Sequence, residues 1–259
     1  MNYTLYGFLL AGSLFFGMLI LIEVGWRIGV RRLAQDPKGA RAGFGTIEGA
    51  VFALLGLLLA FTVSGAGARF DARRHLIVEE TNAIGTAYLR LDMLPSAAQP
   101  ALRENFRRYV DARLEVYRKV PDSAEAKEEI ARGAKLQEEI WRQAVSSVRA
   151  DGGLPQAPTV LLPALNAMID IATTRTMGTQ MHPPMIIFVM LFVLALVSAL
   201  LSGYAMAGNK SRSWLHIVCF ALIISVTVYV ILDLEYPRVG LIRMDVFNQT
   251  LVELRETMR

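Results

Sequence analysis

The chain has 259 residues, 54% of them hydrophobic and 19% charged, with a mean hydropathy of +0.39. That is too apolar for an ordinary soluble domain and too charged for a pure membrane bundle, so several spans plus one polar domain are expected. The net charge of +4 comes from bases interleaved with acids, which is not the footprint of a nucleic-acid binder. The single cysteine, Cys219, excludes an intrachain disulfide and a thiolate metal cluster. It sits in an apolar run and reads as a small buried core residue.

Four apolar runs are long enough to span a bilayer: Leu5–Val24, Ile47–Val63, Met185–Ala207 and Trp214–Leu232. The first lacks the basic start and small-residue cleavage site of a signal peptide and is kept as a span. Its Gly7, Gly12, Ser13 and Gly17 suit close helix packing in lipid. Glu23 near its end is followed by Trp26, Arg27, Arg31 and Arg32, so an interfacial salt bridge is expected. Arg27 to Arg41 reads as a short basic loop, and the Gly208–Ser213 hairpin carries Lys210 and Arg212. Four spans put these two loops on one side, which the positive-inside rule makes cytoplasmic. The polar domain then lies outside a bacterial plasma (inner) membrane, although Arg69, Arg73 and Arg74 pull the other way.

Thr46 to Pro95 organises the chain. No proline falls between Thr46 and Leu94, so a single helix of about 70 Å is expected to leave the membrane and continue into the polar domain. Thr46 is a candidate N-cap and Glu48 lies in the first turn, where capping competes with a pore role. Phe52, Leu55, Leu59 and Val63 form an apolar stripe at helical spacing. Such a stripe faces lipid or core, or lines a hydrophobic constriction that gates by dewetting. Further on, His75 and Glu79 share a face but find no other clustered ligands, so no metal site is expected.

Pro95 ends the long helix. Three more helices are expected before Gln180, broken at Pro121 and at Asp151-Gly152-Gly153, with Asp122 or Ser123 capping the middle one. Arg103, Arg107, Arg108, Arg113 and Lys119 read as a solvated face opposite Leu102, Phe106, Tyr109 and Val110. On the middle helix the apolar face is expected to include Ile130, Ala134, Trp141 and Ala144. Asp170 and Arg175 are polar departures on an otherwise apolar helix. After the last span Asp233, Glu235 and Arg238 cluster where lipid gives way to water. They either shape an ion entrance or anchor the tail, which reads as an amphipathic helix lying on the bundle or on the bilayer.

The expected fold is an all-α membrane protein: four transmembrane helices, plus an extramembrane antiparallel helical bundle built on the extension of the second span. The segments are residues 1–65 (two spans), 66–182 (helical domain), 183–233 (two spans) and 234–259 (tail). No phosphate loop, nucleophile elbow, HExxH or CxxC is present, so no enzyme and no cofactor is expected.

Three stretches carry a resemblance: EGAVFALLGLLLAFTVSGAGARFDARRHLIVEETNAIGTAYLRLDMLP, the third span with its short basic hairpin, and LDLEYPRVGLIRMD. Together they resemble the bestrophin-like domain family of bacteria and plants, over almost the whole chain. True bestrophins, pentameric anion channels, are distant relatives by helical layout. The resemblance implies a homo-oligomer in the lipid bilayer, pentameric by analogy, that conducts inorganic ions, anions by the same analogy. The second spans would line its pore, with Phe52, Leu55 and Leu59 as neck residues. It departs from the pattern after the last span, where only Asp233 and Glu235 stand in place of a dense acidic Ca²⁺ clasp. The large domain of bestrophins is cytosolic, opposite to the loop-charge reading here. A non-conducting, membrane-anchored sensor or scaffold is the alternative.

Overall fold

A computed structural model describes residues 3–35, 44–119, 123–208, 212–237, 240–242 and 245–258. Among these residues it is 87% helix with no strand. The helices are α1 (Tyr3–Gln35), α2 (Phe44–Leu89), α3 (Gln99–Arg118), α4 (Ala124–Ser147), α5 (Ala157–Gly178), α6 (Met185–Ala205), α7 (Trp214–Glu235) and α8 (Asp245–Thr257). The helices containing the four apolar runs are each long and apolar enough to cross a membrane. The chain divides into two compact units, Met1–Arg69 with His182–Ile242 and Phe70–Met181 with Arg243–Arg259. The division falls inside α2, which runs through it unbroken.

α2 is the expected long helix. Its 46 residues measure about 69 Å at about 1.5 Å each. Its last turn tightens into a 3₁₀ segment, Arg90–Met93, just before Pro95. It begins at Phe44, so Thr46 lies in its first turn and is not the N-cap. α1 also overruns its expectation. It continues to Gln35, which makes Arg27, Arg31 and Arg32 helical and not a loop.

In the first unit α1 packs against α6 and α7 around Leu14, Met18, Ile22, Leu191, Ala195, Ala221 and Val228. The tightest crossing uses Gly203 with Gly25 and Gly29. A Cβ on Gly203 of α6 would overlap the Ile22 carbonyl oxygen and lie 2.7 Å from its carbon. A Cβ on Gly25 would overlap the Leu200 carbonyl, and one on Gly29 would stand 2.7 Å from the Tyr204 oxygen. Backbone thus meets backbone, the contact that small residues permit between helices in lipid. Gly17 and Gly7 do face neighbours, Leu196 and Tyr229, whereas Gly12 faces open space. Cys219 is exposed on α7 and not in the core. In a membrane an apolar run gives no sign of which side is inward, because lipid and core are equally apolar.

The second unit is a helical bundle. Its core is Ile84, Tyr88 and Leu91 of α2, Leu102, Phe106 and Tyr109 of α3, Ile140 of α4, and Leu161, Leu165 and Met168 of α5. Pro95 and the following turn reverse the chain between α2 and α3. Ser123 caps α4, its hydroxyl accepting from the Ala126 N–H at 3.1 Å. The buried face of α4 is Gly133, Leu136, Ile140 and Ala144, with Ala134 exposed, a face rotated from the expected one. The tail helix α8 joins this bundle. Leu251 and Met258 are buried in its core and Arg255 pairs with Asp111 of α3 at 2.7 Å. Burial of its apolar stripe in the bundle decides between the two placements expected for the tail.

Candidate functional site: the second helix and three charge networks

Successive residues of an α-helix advance by about 100°. On α2 this puts Leu55, Leu59, Thr62 and Ala66 on one face, and all four are buried. Leu55 is 2% exposed and Leu59 is 9% exposed, both within the first unit's apolar cluster. Phe52 and Val63, at the edges of that face, are half-buried. The Phe52 ring meets Phe220 of α7 edge-on at 5.9 Å. The expected neck stripe therefore turns toward its own protomer.

The opposite face of α2 is uncovered. Gly49, Ala53, Gly56, Leu57, Ala60 and Ser64 are exposed, and a Cβ on Gly49, Gly56 or Gly67 would meet nothing within 4 Å. Except for Leu57 these side chains are small. Glu48 lies half-buried in the second turn of α2. It stands 21 residues before Arg69, about 31 Å along the axis, so it does not join the network at the other end.

Two of the predicted acids lie at that end. Glu235, 1% exposed at the end of α7, accepts from Arg69 Nε of α2 at 2.8 Å. Its other oxygen lies 3.4 Å from His182 Nδ1, and the His182 ring stacks on Tyr236 at 4.6 Å. A buried carboxylate needs such partners to stay charged. Asp233, two residues earlier, does something different. Its oxygens accept the Leu241 and Ile242 N–H groups at 2.9 and 2.8 Å. A Cβ on Gly240 would overlap this carboxylate, so the turn can close over it only with glycine there. Asp233, near the end of α7, thus holds the backbone of Leu241 and Ile242. Arg238 lies outside the described residues. At the other end of the spans Glu23 pairs with Arg27 at 2.8 Å and Arg212 at 2.7 Å, as its arginine neighbours implied. The Arg212 guanidinium lies over Trp26 and Trp214.

A third network was not legible. Glu80 of α2 is completely buried in the second unit. It accepts from Arg113 Nε at 2.5 Å, from Arg175 Nη1, and from the Tyr117 hydroxyl at 3.0 Å. Arg113 also donates to Tyr117 at 2.9 Å, and Arg175 stacks 3.7 Å over the Tyr117 ring and donates to Asn248 of α8 at 3.2 Å. Arg113 is thus buried and not part of a solvated face. Burial opposes its charge, but Tyr117 and Glu80 hold its pKa above the usual arginine value. Burial also pushes the neighbouring Tyr109 phenol well up, with Gln137 donating to its oxygen at 2.9 Å. One hint was available, the polar Arg175 on an apolar helix. His75 and Glu79 are both exposed, and no cluster of three metal-ligating side chains occurs among the described residues.

A model of the Bestrophin-like domain matches residues 20–245. The chain belongs to the Bestrophin-like family. The fold agrees. Crystal structures of single-substitution variants of a bacterial bestrophin homologue from Klebsiella pneumoniae superpose with TM-scores of 0.64 and 0.67. They share 14% and 13% identity, covering 93% and 95% of this chain and 96% and 99% of theirs. A crystal structure described as a membrane protein aligns with a TM-score of 0.63 at 14% identity, over 95% of this chain and 97% of its own. At such identities the likeness is one of fold. No curated protein matches the chain.

Proposed function

We propose that copies of this chain assemble in the membrane as an ion channel, with the α2 helices lining a common axis and anions as the conducted species. The observation that carries this reading is the division of α2 into two faces. One is buried by its own protomer through Leu55 and Leu59, and the other is left open with small side chains at Gly49, Ala53, Gly56, Ala60 and Ser64. Small residues let neighbouring helices approach closely and leave room on an axis. Phe52 and Val63 border this face, and Leu57 and Phe61, one turn apart and both exposed, supply bulky apolar positions on it. A ring of Leu57 side chains would form a hydrophobic constriction of the kind that gates by dewetting. Family membership supports channel function, and the choice of anions and of five subunits rests on the bestrophin resemblance. The ends of the spans near Arg27, Arg31, Arg32 and Arg212 would then face the cytoplasm of a bacterial plasma membrane.

Cysteine accessibility tests the lining. In a Cys219→Ser background, Ala53→Cys and Ser64→Cys are expected to react with a water-soluble thiosulfonate and to lose ion flux on reaction. Leu55→Cys and Leu59→Cys are expected to be protected. Protection of the first pair with reaction of the second would overturn the assignment.

A further inference from the structure

The spans α1, α6 and α7 leave a groove of about 470 Å³ between them. That volume lies inside the roughly 300–1,000 Å³ of ligand clefts. Its walls are apolar: Leu10 of α1, Phe188, Val189, Phe192 and Val193 of α6, and Leu232 of α7. Val189 and Val193 are about half exposed, so the groove opens outward from the spans, toward hydrocarbon in a membrane. It runs from Met185, the first residue of α6, to Val193, about 12 Å along the helix. That is less than half of a roughly 30 Å hydrocarbon core, so the groove occupies one leaflet.

One end of the groove is polar. Tyr229, Asp233 and Tyr236 line it there, where the start of α1, the start of α6 and the end of α7 reach the same membrane boundary. Asp233 is only 5% exposed. Each of its oxygens accepts one backbone N–H, which leaves acceptor capacity on a group with about four lone-pair sites. The buried Tyr229 phenol oxygen lies beside this carboxylate, close enough to interact with it but short of a well-formed hydrogen bond. A carboxylate and a buried phenol at the mouth of an apolar slot make a half-built site. The slot suits an alkyl chain and the mouth suits a cation that carries N–H donors.

We propose that this groove binds one acyl chain of a bilayer lipid with a primary ammonium head, the head donating to Asp233 and Tyr229. A phosphatidylglycerol head has no cation to offer the carboxylate. A phosphatidylcholine head carries the cation but no N–H donor. This site is independent of the pore, which the other face of the protomer would form.

The test uses the full-length protein in nanodiscs containing a phosphatidylethanolamine, phosphatidylglycerol or phosphatidylcholine analogue with a diazirine on its acyl chain, followed by peptide mapping. Photo-adducts are expected on the peptides around Leu10 and Phe188–Val193, at least tenfold more with the ethanolamine lipid than with the other two. Val189→Trp, which fills the groove, is expected to lower that labelling at least tenfold with the oligomer size unchanged. Asp233→Asn is expected to remove the preference for ethanolamine while leaving the apolar slot open. If Val189→Trp alters assembly, the lipid preference of the wild-type protein and of Asp233→Asn decides the matter. Equal labelling by the three lipids, or adducts spread evenly over all four spans, would overturn the proposal. So would crosslinking of a photoreactive residue at position 189 to a second copy of the chain, since the groove would then be a subunit contact.

Discussion

Replacing Glu80 with glutamine removes the carboxylate that holds two buried guanidinium groups, Arg113 and Arg175. All three side chains are essentially inaccessible to water. The substitution keeps the volume but leaves two buried cations sharing neutral acceptors. Removing one partner of a buried ion pair costs about 3–5 kcal/mol. For the second unit, residues 70–181 with 243–259, that converts at roughly 3–5 °C per kcal/mol into a fall in Tm of about 10–20 °C. Arg175→Met is the informative contrast. It leaves the Glu80–Arg113 pair matched one to one, keeps the chain length, and gives up the Asn248 contact. Its cost is expected at about 0–2 kcal/mol, because it removes the surplus cation and leaves no buried charge without an opposite partner. Thermal unfolding followed by circular dichroism of the detergent-solubilised protein measures both. The reasoning is refuted if Glu80→Gln shifts Tm by less than about 3 °C, or if Arg175→Met is the more damaging change.

Gly203→Ala should be poorly tolerated, since its Cβ meets the Ile22 backbone and only separation of α1 from α6 makes room. Overpacking of this kind costs about 1–3 kcal/mol or more, and a lower Tm with earlier aggregation on size exclusion is the expected readout. Gly12→Ala is its control and should be silent, because nothing lies within 4 Å of the new atom. Asp111→Ala breaks a half-exposed pair with Arg255 and should cost no more than about 1 kcal/mol, visible as a small Tm change. Cys219, exposed on a spanning helix, should react with a membrane-permeant maleimide and resist a charged thiol reagent in intact vesicles.

Much of the architecture was legible in the residues. Run length gave the four spans. The absence of proline from Thr46 to Leu94 gave the continuous α2, and Pro95 and Gly152 gave its partners. Rotation about the membrane helices was not legible. Soluble helices announce their inward face by contrast with polar residues, but α2 between Val51 and Val63 carries no such contrast. The bulky stripe Phe52, Leu55, Leu59 and Val63 gave no sign that Leu55 and Leu59 are buried in the protomer. The same loss of contrast hid the exposure of Cys219. In the second unit the failure was of the opposite kind. Arg113 sits among Arg103, Arg107 and Arg108 in sequence, so charge alone put it in solvent. Its burial depends on Glu80, 33 residues earlier, and Arg175, 62 residues later, which no local pattern connects. The acids after the last span were found, but their roles separate only in three dimensions. Asp233 ties a turn, whereas Glu235 holds Arg69 and His182.

The central claim is that α2 conducts ions along the face its own protomer leaves open. Flux from liposomes containing the purified protein tests it most directly, with Cl⁻ compared against K⁺ and with Ala53→Trp and Leu57→Ala set beside the wild type. The account predicts Cl⁻ flux that Ala53→Trp blocks and Leu57→Ala raises. Flux unchanged by both substitutions, or none from a correctly assembled oligomer across pH, voltage and Ca²⁺, would contradict it.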